Sequence, residues 1–350
     1  MIQKSYSLEG SYLDVVTDWE EVLDWADLCL VPYVKLGEAG RRVATLVCRY
    51  GVRGTLSGKG RRERIRIHLA RDADGYLVNG RPVEVCTDEG VIYKVDGDII
   101  EIFYPERSED ALRDPTRLCR EILYNSLPEA SWFELHASAV AREGKAVVLL
   151  GGKGAGKTTS ICHLLSAKDH DQLFSFVSND RVWINIADGQ TRIIGSPMPI
   201  NIGYGTMVSI PELARNLFLY EDHYHVINQH WTTKAHEYSA QEFTNIFQCD
   251  ICTEAVAVAV IGLQPGTSNL LMPVESDERK TEIIMSGQRA SKRTYPNWMG
   301  IGKSPNERGL DGVKLSKLSC PIYEMEFTPN ERAITKCDEA IISALGNLLK

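Results

Sequence analysis

Short apolar runs that alternate with polar residues dominate the first hundred positions, and helical spacing is rare there. Arg64–Ala70 (RIRIHLA) alternates, Asn79-Gly80 is a strong hairpin turn, and Asp96-Gly97 joins the runs Val91–Val95 and Ile99–Tyr104. The pattern predicts a β-rich meander with one early helix. Thr17-Asp18 is placed to cap it, and Trp19, Val22, Leu23, Trp25 and Leu28 follow at roughly helical spacing. A second helix is predicted from Asp114-Pro115, a capping acid with proline at the first helical position. Leu118, Cys119, Ile122 and Leu123 then share its apolar face, and Leu127-Pro128 closes it. A β-rich domain over 1–128 and a second domain over 129–350 follow from this division.

From Trp132 strands and helices interleave. Leu135–Ala141 and Ala146–Leu150 read as strands joined by Arg142-Glu143-Gly144-Lys145, a length that suits a hairpin. A glycine-rich loop follows, then a helix of about ten residues from Thr158. Further strands are expected at Leu173–Val177, Val182–Ile186, Ala255–Leu263 and Ile322–Phe327, with a basic segment near residue 290 and a helix from about Asn330. The second domain is therefore expected to be α/β.

Composition narrows the function. The 350 residues hold 39 Lys+Arg against 47 Asp+Glu, a formal charge of −8, which argues against a chain-wide nucleic-acid footprint. The longest apolar runs fall far short of the ~20 residues of a membrane span. Glu9, Asp14, Asp18, Glu20 and Glu21 stand where a secretory signal would be basic and then apolar. Nine dispersed cysteines read as reduced thiols, so a cytoplasmic protein is expected. Cys249-Asp-Ile-Cys252 is the one close pair, and without a second ligand pair it reads as two idle thiols rather than a zinc site.

The strongest chemical signal is Gly151-Gly152-Lys153-Gly154-Ala155-Gly156-Lys157-Thr158, which fits G-x-x-x-x-G-K-[ST] at every fixed position. Its glycines let successive N–H groups face phosphate oxygens. Lys157 suits the β- and γ-phosphates, the Thr158 hydroxyl suits Mg²⁺, and the helix start favours the same anion. With the adjoining Thr159, Gly151–Thr158 form the expected ATP-binding set. Met285-Ser286-Gly287-Gln288-Arg289 looks like a transporter-ATPase signature, but the strand that should follow is missing, so the match is read as chance. Leu173–Val177 leads instead to Ser178-Asn179-Asp180-Arg181. Asp180 at the strand end is placed to hold Mg²⁺ or to accept a proton.

In these pieces and their order the chain resembles the HPr kinase/phosphorylase-like kinases, relatives of ATP-dependent phosphoenolpyruvate carboxykinases. Leu135-His136-Ala137 opens the hairpin that feeds the phosphate loop, and Ser178–Arg181 follows after one helix. The resemblance covers Trp132–Ile186 well and continues more loosely to about Phe327. It implies an HPr kinase-like catalytic domain, phosphate and Mg²⁺ ligands at Gly151, Gly156, Lys157 and Thr158, and an assembly of copies. It also implies a catalytic role for His136 near the reacting phosphate and for Asp180 as the second acid. One departure stands out: Asn179 occupies the first acid's place and cannot act as a base, so either Asp180 carries that role or the acid-base arrangement differs, and the family's reverse phosphorylase activity does not carry over to this chain by resemblance.

The expected function is transfer of the γ-phosphoryl group of ATP to a hydroxyl, a serine of a peptide or protein, as in family members that act on a carrier protein or a precursor peptide. A small-molecule kinase and a nucleotide-binding regulator with little catalysis are the alternatives. Arg289, Lys292 and Arg293 are candidates to meet the transferring phosphoryl group or an anionic substrate. Asn201–Gly205 is a weaker candidate for shaping the acceptor pocket.

Overall fold

The structure, a computed structural model, describes residues 1–68, 71–166, 174–186, 189–217, 234–265, 270–291, 297–303, 308 and 318–327. The chain forms two compact units. The first takes Met1–Ala130 together with 297–303 and Arg308, and the second starts at Ser131.

Unit 1 is built on a nine-stranded sheet. Its strands are β1 (Ile2–Leu8), β2 (Ser11–Thr17), β3 (Lys35–Leu36), β4 (Arg41–Tyr50), β5 (Arg61–His68), β6 (Arg71–Val78), β7 (Arg81–Thr87), β8 (Ile92–Asp96) and β9 (Ile99–Tyr104). Helices α1 (Glu21–Leu30) and α2 (Glu109–Asn125) complete it. The order β3-β1-β2-β4-β9-β8-β7-β6-β5 contains the expected meander only from β5 to β9. Asn79 and Gly80 both take positive φ in the β6–β7 turn, as a two-residue hairpin of this type requires. Elsewhere β2 runs parallel to β4, and β4 parallel to β9. Parallel neighbours need long connections, and α1 supplies the one between β2 and β4.

Helix α2 corrects the expected start at Asp114. Ser108 is the N-cap, its hydroxyl accepting from the Ala111 amide, and Pro115 lies inside the helix. Proline there removes the N–H that would reach Ala111 O four residues back. The Tyr50 hydroxyl donates to that carbonyl instead, at 3.2 Å. Asp114 is no cap. It is buried and accepts from Tyr93 at 2.7 Å, Tyr104 at 2.9 Å and Arg117. At the other end Arg308 donates to the Asn125 and Leu127 carbonyls, both at 2.8 Å, so a guanidinium caps the negative end of α2. Helix α1 likewise starts at Glu21 rather than after Thr17-Asp18, while Thr17 Oγ1 accepts from the Trp19 amide.

Unit 2 is mixed α/β. Its strands are β10 (Trp132–Leu135), β11 (Ala137–Arg142), β12 (Lys145–Leu150), β13 (Ser175–Ser178), β14 (Val182–Asn185), β15 (Arg192–Gly195), β16 (Ile200–Gly203), β17 (Lys234–Tyr238), β18 (Glu254–Pro265), β19 (Leu271–Pro273) and β20 (Ile322–Phe327). Its helices are α3 (Lys157–Ser166), α4 (Tyr204–Ser209), α5 (Pro211–Leu217), α6 (Ala240–Phe247) and α7 (Asp277–Ser291). The main sheet runs β10-β14-β15-β18-β12-β11-β13, with β20 beside β18 and β19 beside β20. β12, β18 and β20 are parallel to one another, and β16 pairs β17 apart from the main sheet. Leu135, Val148, Leu150, Val182, Ile184 and Ile284 form the heart of a core that is closed to water.

Two details differ from the sequence reading and both shape the site. The expected strand Leu135–Ala141 breaks at His136, because β10 pairs with β14 while β11 pairs with β12 and β13. Residues 277–291 form a helix, so Arg289 belongs to the last turn of α7 rather than to a loop. The helix expected from Asn330 lies outside the described residues. Among the described residues no helix is long and apolar enough to cross a membrane.

Candidate active site

The phosphate loop joins the end of β12 to the first turn of α3. Gly154 (φ +81°) and Gly156 (φ +87°) hold left-handed conformations that a side chain would strain. At Gly151 a Cβ would lie 2.7 Å from Ala155 Cβ and 2.9 Å from Leu263 O, so only glycine fits there. Three of the loop's glycines are therefore demanded by backbone shape. Such glycine-rich turns at a helix start are the form that lets backbone N–H groups face an anion.

Lys157 is mostly buried, and its ammonium donates to Gly151 O at 2.7 Å and Gly152 O at 3.3 Å. Its third close partner is His136 Nε2 at 3.2 Å. On the far side of the ring, His136 Nδ1 lies 3.0 Å from Asp180 Oδ1. An ammonium has only protons to give and a carboxylate only lone pairs. The network therefore orients the ring, with Nδ1–H donating towards Asp180 and the Nε2 lone pair facing Lys157. Burial pushes the Lys157 amine down to about 8, against the opposing pull of Asp180. Burial also raises the Asp180 carboxyl, but the hydrogen bond from His136 and the charges of Arg181 and Lys157 outweigh it and leave it below its ordinary value.

Each member of this trio is held by its own scaffold. The strand break at His136 turns its backbone N–H to Gly287 O of α7, at 3.2 Å. Gly287 allows that approach, since a Cβ there would sit 2.7 Å from the Leu150 side chain. Asp180 lies in the turn between β13 and β14, which the Ser138 hydroxyl fixes through Asn179 O and the Ser178 hydroxyl through Arg181 O. Arg181 is buried, 2.5 Å from Glu134 on the neighbouring β10 and 3.8 Å from Asp180. Asn179 is also buried, and its Oδ1 has no hydrogen-bond partner among the described residues.

The structure thus brings His136, Lys157 and Asp180 together at the loop. Thr158 opens the second position of α3 and is half-buried, whereas the Thr159 hydroxyl is buried against Thr206 of α4 at 2.7 Å. That bond, with Ser166 to Glu212 at 2.9 Å, fastens α3 to α4 and α5. Lys153 is exposed on the loop. Arg289 lies in the last turn of α7, the helix whose Gly287 carbonyl accepts from the His136 amide, while Lys292 and Arg293 lie outside the described residues. Cys249 and Cys252 are half-buried, and burial pushes the Cys249 thiol up to about 11. Glu134 and Thr206 escape sequence reading, and Arg181 and Gly287 enter it only as members of local motifs, without these contacts. Each acts through a partner distant in the chain, and only the neighbouring motif residues signal them.

The donor set around the loop suits Mg²⁺ held mainly by phosphate. Among the described residues no three His, Cys, Asp or Glu side chains cluster as a metal site; Thr158 within the motif and Asp180, reached through His136, are the side-chain oxygens that would hold the ion. No protein-family model matches the chain, and no curated protein does. Among solved structures, the chain is distantly similar to the Hpr(Ser) kinase/phosphatase from Coxiella burnetii. The identity is 8% and the TM-score 0.32, over 61% of this chain and 92% of that one.

Proposed function

We propose that the chain is an ATP-dependent, HPr kinase-like phosphotransferase of the cytoplasm that moves the γ-phosphoryl group to a serine hydroxyl of a peptide or protein. The observation that carries this reading is the relay Lys157–His136–Asp180 at the mouth of a complete phosphate loop. The loop amides and Lys157 would hold the β- and γ-phosphates, and Thr158 and Asp180 would hold Mg²⁺. When bound, the metal supplies charge neutralisation on the phosphate oxygens.

Lys157 must then exchange its loop carbonyls and His136 for phosphate oxygens. Asp180 accepts the proton of the attacking hydroxyl through Oδ2, while His136 fixes Oδ1 and the rotamer. Arg181, anchored on Glu134, keeps the turn and its carboxylate in place. Arg289, Lys292 and Arg293 would neutralise charge on the transferring group. The 1–128 domain would serve in partner docking, and the active form would be an assembly of copies.

Asn179 favours a second reading, a nucleotide-binding regulator with little turnover, because an amide stands where the resembled family has an acid. Incubating the full chain with ATP, Mg²⁺ and serine-containing peptides, then weighing the peptides by mass spectrometry, separates the two. A phosphate-sized gain supports the kinase. ATP binding by calorimetry with no gain on any peptide or small hydroxyl compound supports the regulator.

A further inference from the structure

Among the described residues, strand β5 is the outermost strand of the unit 1 sheet and pairs only with β6. From Arg61 to Ile65 no described residue bonds its backbone on the outer side. Such an edge is a template for another extended chain. Proteins usually blunt it with a covering loop or with charges fanned across it; among the described residues no loop covers this rim, and the charges of β5 are drawn to neighbouring acids. The preceding loop turns inward instead. The Ser57 and Gly58 amides donate to Glu84 of β7, and Gly54 lies against the Phe103 ring of β9.

The arginines of β5 turn inward as well. Arg62 reaches Asp74 of β6 at 2.6 Å, Arg64 grips Asp88 beyond β7 with two bonds of 2.8 and 2.7 Å, and Arg66 pairs with Asp72 of β6. Their guanidiniums lie over the sheet face, and the backbone rim is left open.

The edge also has a chemical preference. Around the edge Arg53, Lys59, Arg61, Arg62, Arg64, Arg66 and Arg71 stand with Glu63, Asp72, Asp74, Asp88 and Glu89, a local excess of cations in a protein whose overall charge is −8. Arg53 and Lys59, just before the strand, form no ion pair among the described residues, and the Arg61 side chain is 83% exposed. Residues 62, 64 and 66 share one face of the strand, and Ile65 and Ile67 share the other. A strand added outside β5 would therefore place alternate residues beside arginine and alternate residues beside isoleucine.

We infer that β5 is a docking edge for an extended peptide segment in which acidic residues alternate with apolar ones, added as a further strand of the unit 1 sheet. The inference stands on unit 1 alone and is independent of the kinase reading. Nucleic acid could use the cations but has no use for the amide ladder, so a peptide is the better fit.

The test uses the full chain and a fluorescein-labelled ten-residue peptide that alternates glutamate with valine or threonine. Anisotropy should show saturable binding, weakened about tenfold by Lys59→Glu combined with Arg61→Glu. Hydrogen exchange should show new protection at every second amide between Arg61 and Ile65, the mark of one-sided strand pairing. A twin peptide carrying proline at alternate positions should not bind. The proposal is overturned by no binding, by equal binding of the proline twin, by protection without the alternation, or by equal competition from an oligouridylate.

Discussion

Lys157 Nζ lies 3.2 Å from His136 Nε2, so the residue that should grip phosphate sits on the residue that orients the acid. With Gly151 O and Gly152 O this gives the ammonium three acceptors for its three protons. Bound phosphate must compete with that cage.

Lys157→Ala removes the charge aimed at the β- and γ-phosphates while leaving the loop glycines intact. ATP turnover should collapse and the thermal unfolding midpoint should stay near that of the parent chain. Turnover at the parent rate would sink the phosphate-loop assignment.

Asp180→Asn keeps size and hydrogen-bonding capacity but loses charge and basicity. General-base assistance is worth roughly 10²–10⁴ in rate, so single-turnover phosphoryl transfer should fall at least about a hundredfold. ATP affinity should weaken less than in Lys157→Ala. A loss under roughly threefold, well below that range, would make Asp180 a structural cap and pass the proton-acceptor role to His136.

Much of this site could be read from the sequence because its signals are local. Gly151–Thr158 is contiguous, the β11–β12 hairpin has its own turn glycine, and Ser178–Arg181 follows a short apolar run. The break at His136 could not be read. Leu135–Ala141 is one apolar run, and only the choice of β14 against β12 as partner divides it. Pro115 misled for a related reason: its missing N–H is compensated at Ala111 O by Tyr50, which lies 61 positions from Ala111 in the chain. The same holds for Arg308, whose capping of α2 joins residues more than 180 apart in sequence. The helix at Asp277–Ser291 was masked by its charged first turn and by glycine at 287, which is there for close packing.

The buried Lys157 amine gives a pH signature. Its value of about 8 in the free protein lies below the ordinary lysine value of 10.5. Bound polyphosphate would favour the charged form, so ATP binding should take up a proton as the pH rises past 8. Affinity should then fall with pH, approaching about tenfold per unit between 8 and 10, the limit for one proton. Calorimetry in two buffers of different ionisation enthalpy measures the uptake directly. The same burial makes a stability contribution of opposite sign. Charging the folded-state amine is unfavourable below 8, and that penalty fades as pH rises from 8 to 10.5. No proton uptake at pH 8.5 would mean that Lys157 keeps its charge in the free loop.

The Tyr50–Ala111 bond can be tested without touching the phosphate loop. Tyr50→Phe keeps the ring, which stacks on Tyr104 at 4.8 Å, but removes the donor that replaces the missing N–H of Pro115. A buried carbonyl left without its donor costs about 1–3 kcal/mol. Amides of α2 should therefore exchange faster, and ATP affinity should not change. Pro115→Ala restores an N–H facing Ala111 O, so in that background the hydroxyl has less to do. Tyr50→Phe should then cost less than half as much, a coupling that a double-mutant cycle reads from the exchange free energies of α2. Equal costs in both backgrounds would show that the hydroxyl does not stand in for the proline's absent proton.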